Sequence, residues 1–109
     1  MNKKVIIWLD DIRPLPSYYT IPSDIPVVCK SVNQAIKAIQ QYENYGYSNF
    51  VLNLDHDLGD YYNDGGDGIK LIHWLIETGR NNYNYTVFLH TMNPVGHEDM
   101  QALIDRYWR

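Results

Sequence analysis

Short apolar runs alternate along this chain with stripes of helical period, and that alternation leaves few folds open. Val5–Leu9 (VIIWL) and Phe50–Leu54 (FVLNL) are rich in apolar and branched residues, as suits strands buried on both faces. Val27, Val28 and Cys29 form a short strand between them, and Tyr85–Leu89 (YTVFL) a fourth. Val32, Ala35, Ile36 and Ile39 fall at i, i+3, i+4 and i+7, one face of a helix. Ile69, Ile72, Leu75 and Ile76 repeat that stripe, and Met100, Leu103, Ile104 and Tyr107 make a third. Ser31 with Gln34 fits a capping box, Gly46 and Gly79 suit left-handed helix ends, and Asn93-Pro94 reads as N-cap and first helical residue. Pro14 to Pro26 holds four prolines, which rules out a regular helix there. Asp55 to Asp67, with Gly59, Gly65 and Gly66, reads as a loop. The order strand, loop, strand, helix, strand, helix, strand, helix argues an α/β fold with a parallel sheet. The right-handed crossover rule then fixes most of the topology.

The strand ends carry the chemistry. The runs close on Asp10 and Asp11, on Asp55 and Asp57, and on His90 and Thr91. Parallel neighbouring strands end on one edge, and ligands bind in the crevice outside it. Carboxylates gathered there repel one another unless a cation or protons neutralise them, which points to a divalent metal and phosphate chemistry. Oxygen donors of this kind suit magnesium or manganese. Asp55 and Asp57, two residues apart, share a face of an extended chain, while His56 between them points away. His90 is a titratable group placed to protonate a leaving oxygen; neighbouring carboxylates are expected to raise its pKa and a bound metal to lower it again. Arg13 suits a bidentate phosphate contact, or else pairs with Asp11. Asn93 caps a helix whose free N–H groups suit an anion. Asp67 reads as an N-cap and His97 as a more distant neighbour of the site. Tyr18, Tyr19, Tyr61 and Tyr62 lie in the two long loops, where they stack a base or simply pack the loops.

Composition sets bounds on this reading. The 109 residues make one small domain spanning 1–109, and 45% hydrophobic with 20% charged residues suffices for one core. A net charge of −4 disfavours a non-specific nucleic-acid coat, which needs a basic face. Cys29 is the only cysteine, so no intrachain disulfide and no cysteine zinc site form. The apolar stretch before Asp10 is too short for a signal peptide core, and no run has membrane-span length, so the expected place is cytoplasmic and no membrane partner is expected.

The strings WLDDIRP, LDHDLGD followed by DGIKLIHWL, and LHTMNPVGHEDM resemble the cyclic-phosphate processing receiver-like family, a derivative of the response-regulator receiver domain. The resemblance runs from Val5 to Met100. It implies a receiver-like (flavodoxin-like) three-layer fold with a four-stranded parallel sheet of order 2-1-3-4. The receiver's fifth strand is lacking and its first helix is replaced by the proline-rich loop. Asp10 and Asp11 match the metal-holding acid pair, Asp55 the phosphoacceptor position, and Thr91 or His90 the hydroxyl position. The lysine borne on a receiver's fifth strand has no counterpart here, which argues against two-component phosphotransfer. The expectation is a metal-dependent phosphoesterase that opens a cyclic phosphate of RNA or a nucleotide. Its metal, Mg2+ or Mn2+, sits on Asp10, Asp11 and Asp55. Asp55, Asp57 and His90 are the catalytic candidates; Arg13, His56, Thr91 and Asn93 are the substrate-binding candidates. The alternatives are a non-catalytic sensor or sponge for a phosphate ligand, and an atypical phosphoacceptor. A domain this small suits a phage or a defence system. With strand four at an edge, a homodimer through that strand or the last helix is expected.

Overall fold

The computed structural model describes residues 3–109. Strands β1 (Val5–Leu9), β2 (Ile25–Cys29), β3 (Phe50–Leu54) and β4 (Tyr85–Leu89) form one sheet in the order β2-β1-β3-β4. All three pairings are parallel, and Leu9 sits in register with Cys29 on one side and Leu54 on the other. Topology and strand order are those expected. β2 begins two residues earlier than the apolar pattern indicated and takes in Pro26. It is an edge strand, where a missing N–H is tolerated.

Helices α1 (Val32–Asn44), α2 (Ile69–Glu77) and α3 (Pro94–Tyr107) follow β2, β3 and β4. Val5, Ile7 and Leu9 of β1 and Phe50, Leu52 and Leu54 of β3 join Ala35, Ile39, Leu71, Ile72, Leu75 and Met100 in one core, each essentially inaccessible to solvent. Removing a side chain of this class costs about 2–5 kcal/mol, so this face holds most of the stability. The other face carries Ile6, Trp8 and Asn53, all buried. There the covering layer is the 10–24 loop: Tyr19 meets Trp8 edge-on at 5.9 Å, and Trp8 Nε1 donates to the Arg13 carbonyl.

The helix ends obey the expected logic with two local differences. Ser31 Oγ accepts the Gln34 N–H, but Gln34 Oε1 reaches the Lys30 N–H and not that of Ser31, so the box closes one residue early. Asp67 is not an N-cap: Gly68 holds that position, and Asp67 Oδ1 instead accepts the Leu58 N–H at 3.3 Å. The 55–67 loop contains a short 3-10 helix, Gly59–Asn63. Asp64 ties this loop to α1 by accepting from Ser31 Oγ and Asn33 Nδ2.

Cys29 lies buried at the end of β2, and burial pushes its thiol pKa from 9.0 to about 11. The folded state therefore holds the thiol proton more tightly than the unfolded chain does. Stability from this group is whole below about pH 9 and declines as pH rises toward 11. Native protein at pH 8 is expected to resist iodoacetamide and to become reactive on addition of urea. Fast native alkylation would contradict the buried placement.

Candidate functional site

The hydrogen-bond ladder runs one residue past each strand. Asp10 N donates to Cys29 O (3.1 Å), Asp55 N to Leu9 O (2.9 Å) and His90 N to Leu54 O (3.0 Å). Asp10, Asp55 and His90 therefore form one row across the C-terminal edge of β1, β3 and β4. One ligand atom from each lies within 4.8 Å of the others.

Asp10 is the hub and is 2% exposed. Its Oδ1 accepts the N–H groups of Ile12 (2.9 Å) and Arg13 (2.8 Å). Its Oδ2 takes Arg13 Nε (3.1 Å) and faces His90 Nε2 (2.9 Å). Burial alone would raise its pKa, but these donors and the Arg13 charge outweigh burial and hold it below the ordinary value. The local cause is an Asx-type turn: Oδ1 gathers the next amides, which curls the chain and brings Arg13 back over the strand ends. Arg13 Nη2 then donates to the His90 carbonyl (3.1 Å) and lies 3.6 Å from Asp55 Oδ2. Arg13 thus pairs with Asp10 and Asp55, and not with Asp11, the partner offered as the alternative to a phosphate contact. Asp55 is 8% exposed, and its Oδ1 accepts the His56 N–H.

Asp11 lies close by, its Oδ2 against Gly59, where an added Cβ would sit 2.5 Å away. Burial raises its pKa, and the charges of Asp10, Asp55 and Asp60 add to that. Excess negative charge at this edge is what a cation would relieve. The donor set is hard oxygen, which fits a divalent ion of the kind that assists phosphoryl chemistry. Asp10, Asp55 and His90 are the donors close enough to close on one ion, with Asp11 beside them; in this conformation both Asp10 oxygens already carry donors, and Asp55 Oδ2 and the Asp11 oxygens are less engaged. Arg13, with 43% of its side chain exposed, is the group able to move aside.

His90 is held on three sides. Trp8 stacks on its ring at 4.0 Å and 3°. Nδ1 lies 2.5 Å from Asn53 Oδ1, and Asn53 Nδ2 lies 2.8 Å from Tyr19 Oη. Burial lowers its pKa and outweighs the Asp10 and Asp55 charges that raise it. This reverses the sequence expectation, which weighed the carboxylates without the Trp8 cover. An amide offers an acceptor at one end and donors at the other. With Asn53 in this orientation, both ring nitrogens meet acceptors, which suits imidazolium. With the amide turned and Tyr19 donating, Asn53 donates to Nδ1 and the neutral ring is satisfied. The pocket can hold either protonation state with its heavy atoms in place.

Asp57 does not join this row. Once Asp55 Oδ1 takes the His56 N–H the chain is no longer extended, so the alternation that would align Asp57 with Asp55 ends. The Asp57 side chain is 62% exposed and pairs with His56 Nδ1 (2.9 Å) and Asn93 Nδ2 (3.2 Å). The His56 hydrogen bond, with help from Asn93, lowers its pKa. His56, Asp57 and Asp67 make a second group of donors within 4.8 Å. The His56 ring lies against Gly96 of α3, where an added Cβ would meet it at 2.5 Å. Thr91 Oγ1 accepts the Asn93 N–H, and Asn93 Oδ1 accepts that of Gly96, the expected cap. Tyr18 and Tyr62 are exposed, and His97 is exposed on α3. Sequence reasoning did not single out Asn53 and Trp8 as site residues, and it gave Tyr19 base stacking or loop packing, not the bond to Asn53 seen here. The available signal for Asn53 was a lone amide inside an apolar strand.

The family model described as the cyclic-phosphate processing receiver domain matches residues 5–106. Neither the curated proteins nor the solved structures provide a significant match. No helix among the described residues is long and apolar enough to cross a membrane.

Proposed function

We propose that this chain, which belongs to the cyclic-phosphate processing receiver domain family, is a divalent-metal phosphoesterase that opens a cyclic phosphate ester of a nucleotide or RNA end. The observation that carries this reading is the Tyr19–Asn53–His90–Asp10 chain, which accommodates a protonated or a neutral imidazole beside Asp55 and Arg13. That is the property an acid/base group needs. Asp11 and Asp55 would hold Mg2+ or Mn2+, which when bound supplies Lewis acidity toward a phosphoryl oxygen. Arg13 leaves Asp55 to neutralise the phosphate. Asp55 Oδ1, which has a lone pair free beside the His56 N–H, takes a proton from the attacking water; as the ring P–O bond breaks, His90 Nε2–H gives one to the departing alkoxide and the ring is left neutral with its proton on Nδ1 toward Asn53 Oδ1. Asp10 stays paired through that exchange, because Arg13 Nε and two backbone N–H groups also donate to it.

Incubation with Mn2+ or Mg2+ and a panel of 2′,3′- and 3′,5′-cyclic nucleotides is expected to yield ring-opened monophosphates. Calorimetry is expected to show weaker metal binding in Asp11→Asn and Asp55→Asn. Unchanged metal affinity in both variants would remove the metal assignment. A second reading, binding without turnover, is favoured by one observation: both ring nitrogens of His90 already have partners. Tight ligand binding with no product in any metal would establish it instead.

A further inference from the structure

Beyond His90 the chain runs directly into a groove of about 700 Å3 that begins at Thr91 and Met92 and ends at Asp105. From Pro94 to Asp105 its lining positions recur at helical spacing, so the groove tracks one face of α3 away from the strand ends. Its lining mixes Met92, Pro94 and Ala102 with the amide of Gln101 and the carboxylates of Glu98 and Asp105. Gln101 Nε2 donates to Asp105 Oδ1 at 2.9 Å, so that pair is set in place. Among the described residues the lining holds two carboxylates and one histidine, His97, but neither lysine nor arginine.

Resting on the cyclic-phosphate reading of the strand-end site, we infer that this groove is the base subsite, and that the ligand is a cyclic mononucleotide, best a guanine nucleotide. The volume lies in the range of small-ligand sites, and Thr91 joins the groove to the His90 edge. Apolar side chains give a base a face to lie on. Carboxylates are acceptors only, so they select a base edge that carries N–H donors, and guanine presents two adjacent ones. An RNA strand continuing along α3 would bring phosphates against Glu98 and Asp105 with no lysine or arginine in the lining to receive them. The acidic groove therefore favours a single nucleotide over a polynucleotide end.

The test compares affinity, read as Kd or as KM where the compound turns over, for four probes in the presence of Mg2+. They are guanosine 2′,3′-cyclic phosphate, uridine 2′,3′-cyclic phosphate, base-free glycerol 1,2-cyclic phosphate and a short RNA with a 2′,3′-cyclic end. The guanosine compound is expected to bind roughly 10- to 100-fold tighter than the glycerol compound, with uridine between. The exposed substitution Glu98→Gln should cost about tenfold for guanosine and nothing for the glycerol compound. The RNA should bind no better than the mononucleotide. Equal affinity for guanosine and glycerol compounds, indifference to Glu98→Gln, or tighter binding of the RNA overturns the inference while the strand-end site stands. Binding of none of the four removes the cyclic-phosphate reading, and this inference falls with it.

Discussion

Gly68→Ala is expected to destabilise the fold by about 3 kcal/mol or more and to displace Asp55. Backbone conformation alone does not exclude alanine at this position: Gly68, the N-cap of α2, has a right-handed φ of −53 that any residue adopts. Against this, a Cβ at Gly68 would be driven into the backbone carbonyl oxygen of Asp55, far inside contact distance, and would also crowd the His56 backbone. The Gly68 N–H donates to the His56 carbonyl at 2.7 Å, which holds the two segments at this separation. A flexible side chain could swing away from an intruding methyl; a carbonyl fixed by the sheet edge cannot, so the steric cost wins. Gly79 makes the control. It has a positive φ of 73 and open space around it, so Gly79→Ala should cost only about 1–2 kcal/mol of backbone strain. Urea denaturation of the three proteins separates the cases. A Gly68→Ala midpoint within error of the wild type would show that α2 can back away from Asp55 at little cost.

The same residues show where the sequence was legible. Parallel strands align their ends, so locating three apolar runs was enough to bring Asp10, Asp55 and His90 to one edge. The path of the chain beyond each strand depends on hydrogen bonds that periodicity does not encode. At Asp55 the carboxylate captures the next amide, so Asp57 goes to His56 and Asn93. At Asp10 the carboxylate captures two amides, and Arg13 folds back onto Asp10 itself. The direction of the His90 pKa shift depends on the Trp8 ring lying over it, a contact between different strands that no spacing rule reveals. Asn53 was legible in principle, since an amide inside FVLNL must find partners when buried. The tight approach at Gly68 was not, because its conformation is one that any residue adopts.

His90 replaced by alanine is expected to lose roughly 10²–10⁴-fold in turnover with little loss of ligand affinity, if it supplies the leaving-group proton. The competing account is that His90 merely holds Asp10. His90→Gln distinguishes the two, since a glutamine amide can donate to Asp10 Oδ2 but cannot exchange a proton with the substrate. On the acid/base account Gln is about as inactive as Ala. Recovery of most of the wild-type rate by Gln would make His90 a positioning residue. The pH profile provides a second, independent reading. Burial lowers the His90 pKa below 6.5, so the imidazolium that donates best is populated only on the acid side of that value. Wild-type turnover should therefore rise as pH falls through the His90 pKa. Folding stability runs the other way: it is whole above about pH 6.5 and erodes as the unfolded chain takes up the proton that the folded ring resists. A rate that climbs toward acid while stability declines marks a buried imidazole that moves a proton, and a rate that merely tracks stability marks one that only supports the fold.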